Sequence, residues 1–297
     1  MNNEEQKQSL QKAIDHPIAF FELFNFPLTS WEIWRYSSFC KNFSEFHEIL
    51  LDNNNSRQDF LFFKQQMQNI DIRKKRYNYA DIKFKKAMRI TKIFRFIPWI
   101  KGVAIGNMIG SHNLKEKGDI DFFIVTAHNR IWISRFVCVM IAKFLRMRPS
   151  PGKTKDKICL SFFVSEKKLN LQDFMLSRDD FYFIYWLTGL FPIYGKVCFW
   201  DDFYKANDWI ENYLPNWRPN LFSHRRQVKS IGILKIFRRS GGFSNKILKK
   251  IQLGLLPEDL KELMNKDTRV IINDRVLKMH FNDRREEYNK KYLKLIS

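Results

Sequence analysis

Between Val103 and Val125 two short apolar runs are held apart by a polar, glycine-containing segment, and no other stretch restricts the chain as much. The first run, Val103-Ala104-Ile105, stops at Gly106-Asn107. The second, Phe122-Phe123-Ile124-Val125, is entered through Asp119-Ile120-Asp121. Short runs that are apolar on both faces and bounded by turn residues read as buried strands. Side chains alternate along a strand, so Asp119 and Asp121 share one face while Ile120 points into the opposite layer. Two carboxylates in one small volume repel each other unless a cation lies between them, and Mg²⁺ uses such a pair when it also holds phosphates. A glycine turn just upstream lets backbone N–H groups approach an anion.

The order strand, Gly-Ser or Gly-Gly, connecting segment, then Asp-x-Asp on a second strand resembles the nucleotidyltransferase superfamily. That superfamily includes the aminoglycoside nucleotidyltransferases, the minimal nucleotidyltransferases and the DNA polymerase β-like enzymes. Gly106-Asn107 stands at the Gly-Ser position, 13 residues before Asp119; Gly110-Ser111 lies only 9 before it and is assigned to the connecting loop. The specific resemblance covers residues 95–165. The longer arrangement is loosely similar to bacterial nucleotidyltransferase-domain proteins with an N-terminal winged-helix-like segment.

The resemblance implies an α+β fold, with a small mixed-sheet core backed by helices. It also implies transfer of a nucleoside monophosphate from a nucleoside triphosphate to an acceptor hydroxyl, with Mg²⁺ on Asp119 and Asp121 and the terminal phosphates on Gly106 and Asn107. An asparagine amide donates a hydrogen bond much as a serine hydroxyl does. A third carboxylate is implied on a third strand, read here at residues 158–164, where the equivalent position holds Ser161. Asp156 and Glu166 bracket that strand and are the alternative acids. The loop before it, residues 146–157, carries five basic side chains. Of these, Lys153 and Lys157 are candidates for the triphosphate or an acidic acceptor, with a solvated loop as the alternative. The acceptor itself is open: an RNA end, a protein or a small molecule. A competing class is a catalytically degenerate member that binds RNA or a protein through basic surfaces.

The net charge of +21 invites a nucleic-acid partner, but the charge is uneven. Residues 1–70 carry six Lys/Arg against nine Asp/Glu, and the remainder a balance of +24. Residues 71–96 hold ten basic side chains against Asp71 and Asp81, and residues 225–250 hold nine with no acid. The latter segment suits a polyanion or, as an amphipathic helix, an anionic surface. The polar, acidic start shows no secretory signal, so a cytoplasmic location is expected. Ile131–Leu145 is too short for a membrane span and contains Arg135 and Lys143. Cys40, Cys138, Cys159 and Cys198 are scattered without zinc spacing and read as reduced core thiols.

Three regions follow: a winged-helix-like domain over 1–70, the nucleotidyltransferase core over 71–175 and a mainly helical portion over 176–297. In the first, Pro17 is expected to kink or end a helix. Thr29 with Glu32 has the form of a capping box, Ser44 is a candidate cap for a third helix, and 60–63 reads as a strand. That third helix carries Glu45 and Glu48 and no basic residue, which suits a protein or substrate contact better than duplex DNA. A long helix is expected over 71–96, another to Leu145, and an aromatic core helix over 178–194. His280, Asp283 and Arg284 suit closure over a substrate, or an ordinary strand-to-helix junction capped by Asn282 or Asp283.

Overall fold

The face alternation read at Asp119–Val125 extends through a mixed sheet in the computed structural model, which describes residues 3–38, 42–51, 56–57, 60–61, 68–106, 112–150, 152–220, 224–231, 242–280 and 282–296. Helix α1 (Asn3–Glu22) continues through Pro17 and does not end there. Ile14, Ile18, Phe20 and Phe21 are buried on either side of the proline, and this tertiary packing outweighs one lost backbone hydrogen bond. Strand β1 (Leu28–Thr29) leads into α2 (Ser30–Tyr36). The capping box is present: Thr29 Oγ1 accepts from Glu32 N at 3.3 Å, and Glu32 Oε2 accepts from Thr29 N at 2.9 Å. Helix α3 (Phe43–Leu51) is capped not by Ser44 but by Asn42, whose Oδ1 accepts from Glu45 N at 2.9 Å. Strands β2 (Ser56–Arg57) and β3 (Phe60–Leu61) complete a small antiparallel sheet in the order β1-β3-β2. Cys40, Phe62 and Phe63 lie outside the described residues.

The long basic helix is α4 (Gln68–Phe94), and it delivers the chain to β4 (Ile100–Ile105). Strand β5 (Ile120–Thr126) pairs antiparallel with β4 and parallel with β6 (Ile158–Ser165). Helix α5 (Ile131–Phe144) makes the crossover that a parallel pair requires. Expected as one helix, the aromatic stretch divides into α6 (Phe181–Thr188) and β7 (Phe191–Gly195). Gly189 ends the helix, and Pro192 sits on an edge strand, where a missing N–H is tolerated. Helices α7 (Val197–Lys205), α8 (Gly242–Gly254) and α9 (Glu258–Leu263) follow. Strands β8 (Val270–Ile272) and β9 (Val276–Met279) precede the final helix, α10 (Arg285–Ile296). The sheet order is β7-β4-β5-β6-β9-β8. The portion after residue 176, expected to be mainly helical, therefore supplies three of its six strands.

Each face of this α+β sheet has its own core. Ala104, Phe123, Val125, Phe162 and Val164 pack with α1, α2, α6 and α10, including Phe20, Phe21 and Tyr185. Val103, Ile105, Phe122, Ile124 and Phe163 pack with α4 and α5 on the other face. The N-terminal helices thus share a core with the sheet. No helix of the described residues is long and apolar enough to cross a membrane.

Helix α5 begins after Arg130, its N-cap residue, without a side-chain cap of its own. Asn245 of α8 serves instead, its Oδ1 accepting from Trp132 N at 3.0 Å and Ile133 N at 3.1 Å. Two buried backbone donors depend on this one side chain, as in an N-cap. We expect Asn245→Ala to lower stability by about 1–2 kcal/mol, read as a reduced urea midpoint at unchanged m-value; an unchanged midpoint would show that water caps the helix equally well.

Candidate active site

Asp119 and Asp121 meet where β5 begins. The face opposite Ile120 carries both, and Cys159, the register partner of Asp121 on β6, joins them. One ligand atom from each of Asp119, Asp121 and Cys159 lies within 4.8 Å of the other two. The pairing is held from behind. Ile120 N donates to Lys157 O at 2.7 Å, and Gly106 N donates to Asp121 O at 2.8 Å, tying the turn after β4 to the acidic pair. Lys83 of α4, only 1% exposed, donates to Gly118 O at 2.6 Å and to Asp156 Oδ1 at 2.9 Å. Burial raises the Asp119 carboxyl above its ordinary range, and Lys83 and Arg148 partly oppose this. The Cys159 thiol is pushed well up by burial and by Asp121, so it is protonated at neutral pH.

The pair opens on a cleft of about 590 Å³. Past Cys159 the pairing skips a residue, so that Phe123 faces Phe162, and Cys159 and Ser161 both line the cleft. Another wall comes from the C-terminal segment: Lys278, Met279, His280, Asn282, Asp283, Arg284 and Arg285. His280 Nε2 lies 3.2 Å from Ser161 Oγ, which in turn lies 3.1 Å from Cys159 Sγ. Loss of hydration pushes His280 down to about 3, so the imidazole is neutral at physiological pH. Asp283 caps the junction by accepting from Arg285 N at 3.0 Å, and the junction lines the cleft as well.

This wall is braced by buried ions. The Arg285 guanidinium, on a side chain only 4% exposed, donates to Asp283 Oδ2 at 2.8 Å, Asp180 Oδ2 at 3.0 Å and Phe174 O at 2.7 Å. Lys278 donates to Thr268 O at 2.6 Å and Asp283 Oδ2 at 3.3 Å. An aromatic end is formed by Phe24, Tyr182 and Tyr288, with centroids 4.8 Å apart for Phe24–Tyr288 and 5.4 Å for Tyr182–Tyr288. Lys115 also lines the cleft; partial loss of water and repulsion from Arg76 and Arg284 hold it below the usual lysine value. Converging cations of this kind favour an anion.

Of the residues singled out in the sequence, Gly106, Asp119, Asp121, Ser161, His280, Asp283 and Arg284 line the cleft. The Gly106 N–H is committed to Asp121 O at 2.8 Å and is not open to an anion. Asn107 and Gly110-Ser111 lie outside the described residues. Lys153 and Lys157 are not among the cleft residues: Lys153 is exposed in its loop, and Lys157 Nζ donates to Arg146 O at 2.7 Å. Neither alternative acid reaches in. Asp156 accepts from Lys83 and Lys86 behind the strand, and Glu166 binds Lys101 and His128 N at its far end. Seven residues of extended chain separate Glu166 from Cys159, roughly 23 Å. Of the cysteines, Cys138 is a core thiol as expected, but Cys159 belongs to the cleft and Cys198 is exposed. Cys159 was missed because its partnership with Asp121 is a matter of register; its place one strand alternation before Ser161 was the available signal.

Comparison with protein-family models, with curated proteins and with solved structures finds no match.

Between pH 6.5 and about 3 the folded chain binds fewer protons at His280 than the unfolded chain does, so this group's contribution is complete above 6.5 and is lost on acidification. His280→Asn is expected to lose less stability than wild type when pH falls from about 7 to about 5, as read from urea midpoints at the two pH values. Parallel losses would mean that the imidazole is hydrated.

Proposed function

We propose that this chain is a nucleotidyltransferase that uses Mg²⁺ to move a nucleoside monophosphate from a nucleoside triphosphate to an acceptor hydroxyl, releasing pyrophosphate. The observation that carries this reading is the meeting of Asp119, Asp121 and Cys159 within 4.8 Å at the wall of a closed-backed cleft. Its strand order supports the reading: antiparallel β4–β5, then parallel β5–β6, with the acidic pair at the start of the middle strand.

The donor set fits the ion. Mg²⁺ takes one or two carboxylates and completes its octahedron with water and phosphate oxygens. Sulfur is a poor ligand for so hard a cation, so Cys159 borders the site without holding the metal. Bound between Asp119 and Asp121, the ion would neutralise phosphate charge as the leaving group departs. Lys115 attracts the triphosphate to the cleft, whereas Arg284 is already paired with Glu287 at 2.8 Å, and the Phe24–Tyr182–Tyr288 end offers planar surfaces of the kind a nucleobase stacks on. The acceptor oxygen bonds to the α-phosphorus while the bond to the bridging oxygen breaks, and pyrophosphate leaves with that electron pair. Ser161 stands where a third carboxylate would take the acceptor's proton, so the proton passes to solvent. General-base help worth about 10²–10⁴ in rate is then missing, and turnover is slow.

The serine that lines the cleft at position 161, where a third carboxylate is expected, favours a second reading, a catalytically degenerate member of this fold that binds RNA or a protein through its basic surfaces. We read the N-terminal helices and their three short strands as a winged-helix-like unit that contacts protein or acceptor, because α3 carries Glu45 and Glu48 and no Lys or Arg. Incubation with labelled nucleoside triphosphates, Mg²⁺ and a cell extract tests the enzyme. Label transfer by wild type, lost in Asp121→Asn, is the expected result. No transfer, together with salt-sensitive RNA binding that Asp121→Asn leaves intact, would overturn catalysis in favour of binding.

A further inference from the structure

Helix α8 packs Leu253 partly buried against the core, yet it leaves a second apolar row on its outer side. A helix on a globular domain ordinarily turns its apolar stripe inward and its polar face to water. In α8 the buried side chains are Asn245 and Gln252. Asn245 caps α5, while Gln252 donates to Trp132 O at 2.8 Å and accepts from Arg135 at 2.6 Å. The outward side carries Phe243 at 79% exposure, Ile247 at 44%, Ile251 at 45% and, just past the helix end, Leu255 at 78%. These positions are successive i, i+4 neighbours and form one continuous row. Leu255 N still donates to Ile251 O at 3.1 Å, so the row keeps its helical geometry to the end.

Charge decides what covers this row. Lys246 and Lys250 are exposed beside it, and Gly242–Gly254 contains no acidic residue. Glu258 and Asp259 come only after the row has ended, beyond Pro257. A second copy of the chain would bring its own lysines against these, and one row of four side chains falls short of the ~800 Å² per partner that a stable protein interface buries. An anionic lipid surface meets both halves of the pattern, taking apolar side chains into the headgroup–acyl boundary and lysines against phosphates.

We propose that α8 docks the protein on an anionic membrane surface, with Phe243, Ile247, Ile251 and Leu255 inserted and Lys246 and Lys250 at the lipid phosphates. The helix lies in the interface plane and spans nothing. The proposal is independent of the chemistry assigned to the cleft, since no α8 residue lines it.

The test is co-sedimentation of the intact chain with vesicles of phosphatidylcholine alone or mixed with phosphatidylglycerol. Binding to the anionic vesicles, weakened by salt, is expected. Ile247→Ser combined with Ile251→Ser should abolish it, and Lys246→Gln with Lys250→Gln should reduce partitioning about thirtyfold. All four positions are exposed, so thermal midpoints should match wild type and a binding loss cannot be ascribed to misfolding. Failure to sediment with anionic vesicles, or binding that the serine pair leaves unchanged, overturns the proposal. So does analytical ultracentrifugation showing that the serine pair converts a dimer to a monomer, which would assign the row to a second copy.

Discussion

The site depends on one parallel pairing, that of β5 with β6 where Ile120 faces Ile158 and Asp121 faces Cys159. A slip of one residue would turn Asp119 and Asp121 into the apolar layer beneath the sheet. Register here is fixed from outside the sheet as well as within it. Lys83 reaches from α4 to both strands' approaches, binding the carbonyl of Gly118 before β5 and the carboxylate of Asp156 before β6. A lysine buried to this degree is stable only with such partners, and Asp156 is thereby consumed. One cation thus positions the acidic pair and removes a candidate acid from the chemistry.

A second set of buried charges places the C-terminal wall. Asp180, at the start of α6, and Asp283, before α10, both bind Arg285, so two elements a hundred residues apart in sequence are held at the same depth. Breaking such a pair leaves an uncompensated buried charge, which costs about 3–5 kcal/mol. His280, Arg284 and Tyr288 stand on either side of this brace, and their places in the cleft follow from it. The cleft is accordingly a joint between the early strands β4–β6 and a returning C-terminal segment.

Much of the first half of that joint was legible locally. Period-two alternation put Asp119 and Asp121 on one face, and short apolar runs gave the three central strands. The Thr29–Glu32 capping box and the basic periodicity of α4 also reported their elements directly. The second half was not. The strand at 191–195 was hidden in an aromatic run because burial on both sides suits helix and strand alike. Pairing of Cys159 with Asp121, approach of His280 to Ser161, and capture of Asp156 by Lys83 and Lys86 are long-range, and no local pattern encodes them. Pro17 does not end its helix for the opposite reason: its local cost is real, but the packing of Phe20 and Phe21 exceeds it.

In the proposed reaction Asp119 and Asp121 grip a divalent ion together with a triphosphate inside the cleft. A crystal of the protein grown with Mn²⁺ and a non-hydrolysable nucleoside triphosphate, measured at the manganese absorption edge, tests this. An anomalous peak in contact with both carboxylates and with phosphate oxygens is expected, the base lying toward Tyr182 and Tyr288. Manganese found elsewhere, or a triphosphate bound away from the acidic pair, would contradict it.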